Sequence, residues 1–258
     1  MFIIGILVGL CSGLFGVGGG FLMVPLQFFL LSSNNVDPNT ALLVSFATSL
    51  SVIIPTSLSS VYKHNKESDN IIKPGLLLGL FGIIGGLIGG FLAVRAPTRF
   101  LQVIFGFLLI FIAFKMFRDK DIRGKSSKKN LNIFSYGIIG VSVGIFSGLL
   151  GVGGGMIIVP VLSTVIGYSF IESVGISSVF IILTAIGGVS SYIVSGFNIN
   201  PIPYSIGYVN ILNFVGMALF SIPFAYIGAK LSHNISGNTL KKVFSVVVFI
   251  MAVKMMIG

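Results

Sequence analysis

A chain of 258 residues with 55% hydrophobic and only 9% charged residues cannot make a water-soluble domain, which would carry near a quarter charged residues. Its mean hydropathy of +1.07 belongs to a protein dissolved in lipid. The formal charge of +10 excludes little by itself. The basic residues gather in short stretches between apolar runs, where membrane orientation and anionic headgroups account for them, so membrane lipid is expected as a partner and nucleic acid is not.

The first element runs from about Phe2 to Leu31 and is apolar but interrupted by glycine. No basic stretch precedes it and no small-residue cleavage site follows, so it reads as a retained segment rather than a signal peptide. Cys11 within it is the sole cysteine, which excludes an intrachain disulfide. Its counterpart in the repeat described below is Phe146, so a thiol is not part of the duplicated chemistry. Unbroken spans near the length of a hydrocarbon core follow at Ala41–Val61, Gly75–Val94 and Arg99–Phe117. A hydrophilic run, RDKDIRGKSSKKN, then opens at Arg118. After it come a second interrupted segment, Phe134–Ile166, and spans near Ser173–Val194, Gly207–Ile227 and Leu240–Ile257. This divides the chain into a first transmembrane repeat over 1–117, a cytoplasmic linker over 118–132 and a second repeat over 133–258.

The two interrupted segments share one string. Ser12-Gly13-Leu14-Phe15-Gly16-Val17-Gly18-Gly19-Gly20 returns as Ser147-Gly148-Leu149-Leu150-Gly151-Val152-Gly153-Gly154-Gly155, at an offset of 135, and Val24-Pro25 and Val159-Pro160 follow in register. Gly5 and Gly9 match Gly140 and Gly144 at the same offset. The last spans also match, Ala113-Phe114-Lys115-Met116 against Ala252-Val253-Lys254-Met255. A duplicated half in an apolar chain is the pattern of transporters built from repeats.

Basic residues decide whether each broken segment crosses the membrane or dips and returns. If it crosses, the halves are parallel and eleven of the 16 Lys and Arg lie inside; if it returns, the halves are inverted and thirteen do, leaving Arg95, Arg99 and Lys254 outside. The expected fold is therefore an all-α polytopic membrane protein of two inverted repeats, each a re-entrant, glycine-broken segment plus three transmembrane helices.

Glycine triplets at consecutive positions break a helix that alanine would continue, at about 1 kcal/mol each. Broken backbone at membrane depth survives only where protein buries it or a wet cavity receives it. The new helix start presents N–H groups and a positive dipole end, which favours an anion. By contrast, Gly5/Gly9/Gly13 and Gly82/Gly86/Gly90 have the spacing of close helix packing.

Two copies of Gly-Leu-x-Gly-Val-Gly-Gly-Gly-x-x-x-Val-Pro, each opening a half of about four apolar segments, resemble the sulfite exporter (TauE/SafE) family of permeases. The resemblance covers essentially the whole chain. It implies an inner-membrane exporter of small anions such as sulfite, organosulfonates or related sulfur compounds. Ala47-Thr48-Ser49 is similar to the family's Ala-Thr-Ser pattern, whereas the second half offers Gly175-Ile176-Ser177 without the threonine. The expected substrate contacts are Ser12, Gly16, Gly18, Gly19, Gly20, Thr48, Ser49, Ser147, Gly151, Gly153, Gly154, Gly155 and Ser177. Short hydroxyl donors suit an anion that must be released again.

No Asp or Glu falls mid-span, so proton coupling through a buried carboxylate is not expected. The membrane potential, about 2.3 kcal/mol per charge per 100 mV, could drive export alone. No cofactor or metal is called for. Asn210 and Asn213 read as one helix face, and His64 and His233 as loop residues. Gly140-Val141-Ser142-Val143-Gly144 matches a nucleophile pattern but lacks its strand–turn–helix setting, so an enzyme is not expected. A channel-like anion pathway remains the alternative to a carrier.

Overall fold

The computed structural model describes residues 2–15, 17–67, 71–118, 132–199 and 201–232, with 239, 242, 245, 246, 248–250, 252 and 253 of the last segment. Most of the 118–132 linker, most of the Leu240–Ile257 span, His233 and Gly16 lie outside the described residues.

The described residues are helical almost throughout: α1 (Phe2–Phe15), α2 (Gly20–Ser33), α3 (Pro38–Glu67), α4 (Ile72–Arg95), α5 (Thr98–Arg118), α6 (Ile133–Leu150), α7 (Gly155–Pro160) continuing as a π-helical turn (Val161–Ile166), α8 (Phe170–Gly196) and α9 (Ile211–Ser232). Five of these, α3, α4, α6, α8 and α9, are long and apolar enough to cross a membrane. Leu80, Leu92, Phe107, Phe111, Phe114 and Leu219 are among the large side chains left exposed. Exposed apolar bulk of that kind is what a lipid solvent selects, since only helices and closed barrels satisfy every backbone polar group there.

One expectation is corrected at the start of α9. The span placed near Gly207 begins instead with a tight antiparallel hairpin, β1 (Ser205–Ile206) and β2 (Val209–Asn210), and the helix starts at Ile211. Asn210 is therefore not on a helix face with Asn213. Its side-chain oxygen accepts the Asn213 N–H at 2.9 Å, capping the helix, while its amide donates to the Pro203 carbonyl at 2.9 Å. A short polar residue three places before a free N–H makes this end rather than a continuous helix.

The contacts between helices fix their relative directions. Along α1, a Cβ on Gly5 would meet the Met217 carbonyl oxygen at 2.7 Å, Gly9 faces Ser221 and Phe224, and Gly13 faces Ala225 and Ala229. Rising numbers meet rising numbers, so α1 and α9 run parallel, backbone to backbone. Likewise Gly140 faces Leu78, Gly144 would stand 2.6 Å from the Gly82 carbonyl oxygen, and Gly148 faces Gly86 and Gly90, so α6 runs parallel to α4. Gly75 against Ile176 and Val179, and Gly90 against Gly188 and Ser191, make α4 parallel to α8.

Helix α3 runs parallel to α9, since Thr48 Oγ1 accepts the Asn210 N–H at 3.0 Å and Thr56 Oγ1 lies 2.7 Å from Ser221 Oγ. It runs against α8, pairing Ser60 with Ser178 at 3.3 Å and Leu50 with Gly188. Thus α1, α3 and α9 point one way and α4, α6 and α8 the other. Because α1 and α3 share a direction, the chain travels back through α2 between them; between α6 and α8 it travels back through α7.

The glycine stripes are what let these backbones touch. A substitution at Gly144 should cost far more than one at Gly137, where the nearest atoms to an added Cβ are the Phe81 ring at 3.6–3.7 Å. Gly144→Val is expected to lower the thermal midpoint of the detergent-solubilised protein sharply, and Gly137→Ala to leave it within a degree or two, since backbone atoms cannot yield as a ring can.

Candidate functional site

Each glycine string makes a corner where a helix stops and another starts. In the first, α1 ends at Phe15, Gly18 and Gly19 take left-handed φ of 77° and 72°, and α2 starts at Gly20. The Gly19 carbonyl then accepts the N–H groups of Leu22 and Met23, both at 3.1 Å. In the second, Gly151, Gly153 and Gly154 take φ of 68°, 79° and 78°, and the Gly154 carbonyl accepts from Ile157 at 3.1 Å and Ile158 at 3.0 Å. A residue with a Cβ is strained by about 1–2 kcal/mol in this region. Space forbids one as well: a Cβ at Gly19 would lie 2.6 Å from Val8 Cγ1, and one at Gly154 would lie 3.0 Å from Val143 Cγ1. Val8 and Val143 are themselves repeat mates.

The corners meet. A Cβ on Gly20 would stand 2.8 Å from Val152 Cα and 3.0 Å from the Gly151 carbonyl oxygen, so the second helix start of one half touches the corner of the other. Two isoleucines frame the junction. Ile53 of α3 lies against Gly18, Gly20 and Gly153, and Ile181 of α8 lies against Gly18 and Gly153. The positions 53 and 181 are separated by 128, as are Ser49 and Ser177, and Thr56 and Thr184; α3 and α8 are thus mates at that offset.

Carbonyls released by the breaks are caught by hydroxyls. Ser49 Oγ donates to the Gly151 carbonyl at 2.8 Å, across the halves, and Thr184 Oγ1 donates to the Gly153 carbonyl at 3.0 Å. The last turn of α6 is held by Tyr192, whose hydroxyl donates to the Gly148 carbonyl at 2.8 Å. In α1 the equivalent carbonyl, Gly13, faces His64 Nε2 at 3.4 Å and accepts from it in the tautomer that protonates that nitrogen. His64 is not a loop residue as the sequence suggested: it lies inside α3 and is fully buried.

The expected contacts divide into groups. Gly18, Gly19, Gly20, Gly151, Gly153, Gly154 and Gly155 form the paired corners and are all buried. Ser49 and Thr48 are buried with their hydroxyls engaged, the first to Gly151 and the second by Asn210. Ser177 is fully buried on α8. Ser12 and Ser147, one residue before Gly13 and Gly148, are each 1% exposed and their hydroxyls have no hydrogen-bond partner. Gly16 lies outside the described residues.

Sequence reasoning passed over Gln27. It is fully buried in α2 with neither amide atom bonded, and the first-half register puts Leu162 at its mate position. A lone amide in an apolar segment was the available signal. Thr184 and Tyr192 are also absent from the expected contacts, because the 128 offset that pairs them with Thr56 and His64 is visible only once α3 and α8 are aligned. Among the described residues no group of His, Cys, Asp or Glu could hold a metal ion.

A family profile described as sulfite exporter TauE/SafE matches residues 1–255. The chain is 32% identical to a probable membrane transporter protein of Methanocaldococcus jannaschii over 258 residues, covering all of this chain and 94% of that one. It is 31% identical to a probable membrane transporter protein of Haemophilus influenzae, covering 98% and 96%. A Bacillus subtilis protein described in the same words is 28% identical, over 91% and 90% of the two chains. No solved structure matches the chain.

Ser49→Ala would strand the Gly151 carbonyl in a dry interior, at a cost of about 1–3 kcal/mol. Unfolding of the purified protein in detergent should show that loss, while Ser190→Ala, which removes only a bond to the carbonyl one turn back on an exposed face, should show little.

Proposed function

The chain belongs to the sulfite exporter TauE/SafE family and is a multi-pass membrane transporter, and from that premise we propose that it exports small oxyanions, sulfite and organosulfonates among them, from a site at the junction of the two glycine corners. The observation that carries this reading is the pair Ser12 and Ser147. Both hydroxyls are buried and unbonded, both sit in the helical turn before a corner, and the repeat relates them. A buried hydroxyl with no partner is destabilising, and polar groups in protein interiors are nearly always satisfied. An oxyanion between the corners would accept from both. The starts of α2 and of α7 with its π-helical continuation add their N–H groups and positive dipole ends. The corner carbonyls of Gly151 and Gly153, which would repel an anion, are already tied to Ser49 and Thr184. With no fixed cation among these residues, the anion is held by neutral donors and can leave.

The architecture of this reading is an inverted repeat with two re-entrant hairpins, α1–α2 and α6–α7. It is supported by helix direction: each of α1, α3 and α4 opposes its mate α6, α8 and α9. Charge supports it too. Lys63, Lys66, Lys73 and Lys230 lie at the ends of α3, α4 and α9 that share one face, whereas Arg95 ends α4 at the other face and Arg99 follows Thr98, which bonds Asn39 at the start of α3. The lysine face is then cytoplasmic by the positive-inside rule.

Two experiments test these points. In a Cys11→Ala background, Lys66→Cys and Lys230→Cys should react with an impermeant thiol reagent from the cytoplasmic side and Asn39→Cys from the outside; a single-crossing chain would split Lys66 from Lys230. Sulfite should raise the thermal midpoint of the purified protein, because a ligand that binds only the native state stabilises it by mass action. Ser12→Ala with Ser147→Ala should weaken that response at least about tenfold in concentration, the equivalent of one lost charge-assisted bond. Gly19→Val or Gly154→Val should abolish it, and an undiminished response in all of these variants would remove the corners from the site.

A further inference from the structure

The two sides of the junction are related by the repeat but are not chemically alike. From Ile53, which touches both corners, the same face of α3 continues toward the lysine face through positions 57, 60 and 64, all within about 60° of arc at 100° per residue. These are Ser57, Ser60 and His64, every one of them fully buried. Ser60 Oγ meets Ser178 Oγ of α8 at 3.3 Å, and His64 reaches the Gly13 carbonyl at the tip of α1. Ser57, between them and Ile53, has a hydroxyl with no partner.

The mates at the 128 offset lead from Ile181 toward the opposite face, and they are Ala185, Gly188 and Tyr192. The mate of Ser178 is Leu50, whose Cδ1 would lie 2.7 Å from a Cβ on Gly188. So where one side has a serine pair, the other has a leucine packed on glycine; where one has an unbonded serine, the other has alanine. Both tips are tied, but by an imidazole on one side and a phenol on the other, whose ring stands edge-on to Tyr208 at 6.4 Å.

We propose that Ser57, Ser60, Ser178 and His64 form a loading station for the oxyanion on the lysine-face side of the junction, through which substrate enters from the cytoplasm, and that Ala185, Gly188, Leu50 and Tyr192 form its dry counterpart. The inference rests on the transport reading above and adds its sidedness. Ser57 supplies a donor without a present acceptor. Ser60 donates to Ser178, whose own proton is held by the Val174 carbonyl at 2.9 Å, and turns that proton to an arriving anion, while His64 Nε2 exchanges a carbonyl acceptor at 3.4 Å for a charged one. Releasing Gly13 frees the tip of α1, so binding at the station and opening of that tip are one event. On the far side the Tyr192 hydroxyl is the counterpart donor, and its shorter 2.8 Å bond to the Gly148 carbonyl holds it from the anion, which favours departure over return.

Radiolabelled sulfite flux in inside-out and right-side-out membrane vesicles tests this. Ser57→Ala with Ser60→Ala should raise KM about tenfold at the cytoplasmic face, with KM at the outer face changed less than about twofold. Equal changes at both faces, or none, would overturn the proposal. Ala185→Ser, the converse change, should leave cytoplasmic KM in place, and unaltered thermal midpoints would show that each variant is folded. Wild-type vesicles that carry neither sulfite nor sulfonates would instead defeat the transport reading. The station is then judged on its own by accessibility in a Cys11→Ala background. Ser57→Cys should be modified by a small anionic thiosulfonate from the cytoplasmic side, and Ala185→Cys from neither side. Protection of Ser57→Cys, or reaction of both, would sink it.

Discussion

A helix that ends in a protein interior leaves carbonyl and amide groups where no solvent can meet them, and that demand organises this molecule. Two helices end there, α1 and α6, and the side chains around them answer one carbonyl at a time. Ser49 takes Gly151, Thr184 takes Gly153, Tyr192 takes Gly148 and His64 takes Gly13. An unanswered group would cost several kcal/mol in hydrocarbon. The corners are therefore possible only because α3 and α8 carry hydroxyls at the right turns, and these two helices are the inner pair on which the hairpins rest. Their burial agrees: the most hydrophobic windows of α3 and α8 are 83% and 67% enclosed, against 33% for α9.

Close approach is the second requirement, and glycine meets it differently in two places. Along α1, α4 and α6 the spacing is four and the backbone stays helical, so glycine serves only to remove a side chain from a helix contact. At 18–19 and 153–154 the spacing is one and φ is positive, so glycine serves conformation and space together. The contacts also interlace the repeats. Helix α1 of the first half packs on α9 of the second, and α6 of the second on α4 of the first. The two copies of the glycine string thus lie on helices that pack on distant parts of the chain, and the corners meet where Gly20 touches Gly151 and Val152.

Much of this was legible in residues alone because membrane insertion leaves coarse marks. The lack of charge, the span lengths and the duplicated glycine string need no tertiary knowledge. The packing role of Gly5, Gly9 and Gly13 could be read from period, since a four-residue step on a helix is one face. What could not be read depended on contacts between distant segments. His64 follows Lys63 and precedes a polar run, so it looks like loop; only the length of α3 and the arrival of the α1 tip bury it. Asn210 looks like part of a span because Gly207–Ile227 is apolar, but Gly207 at φ 58° and Tyr204 at φ 61° turn the chain into a hairpin first. The asymmetry between Ser57 and Ala185 was hidden as well, because α3 and α8 follow the 128 offset whereas the glycine strings follow 135.

The clasp between α1 and α9 has a consequence for biosynthesis. Gly5 finds its neighbour at Met217, more than 200 residues later in the chain. At ribosomal rates of about 5–20 residues per second, α1 must wait on the order of ten to forty seconds for that neighbour to leave the tunnel. During that interval its bare glycine face is open to any other helix in the insertion machinery. Assembly here is thus a matter of holding α1 until α9 arrives to lock it.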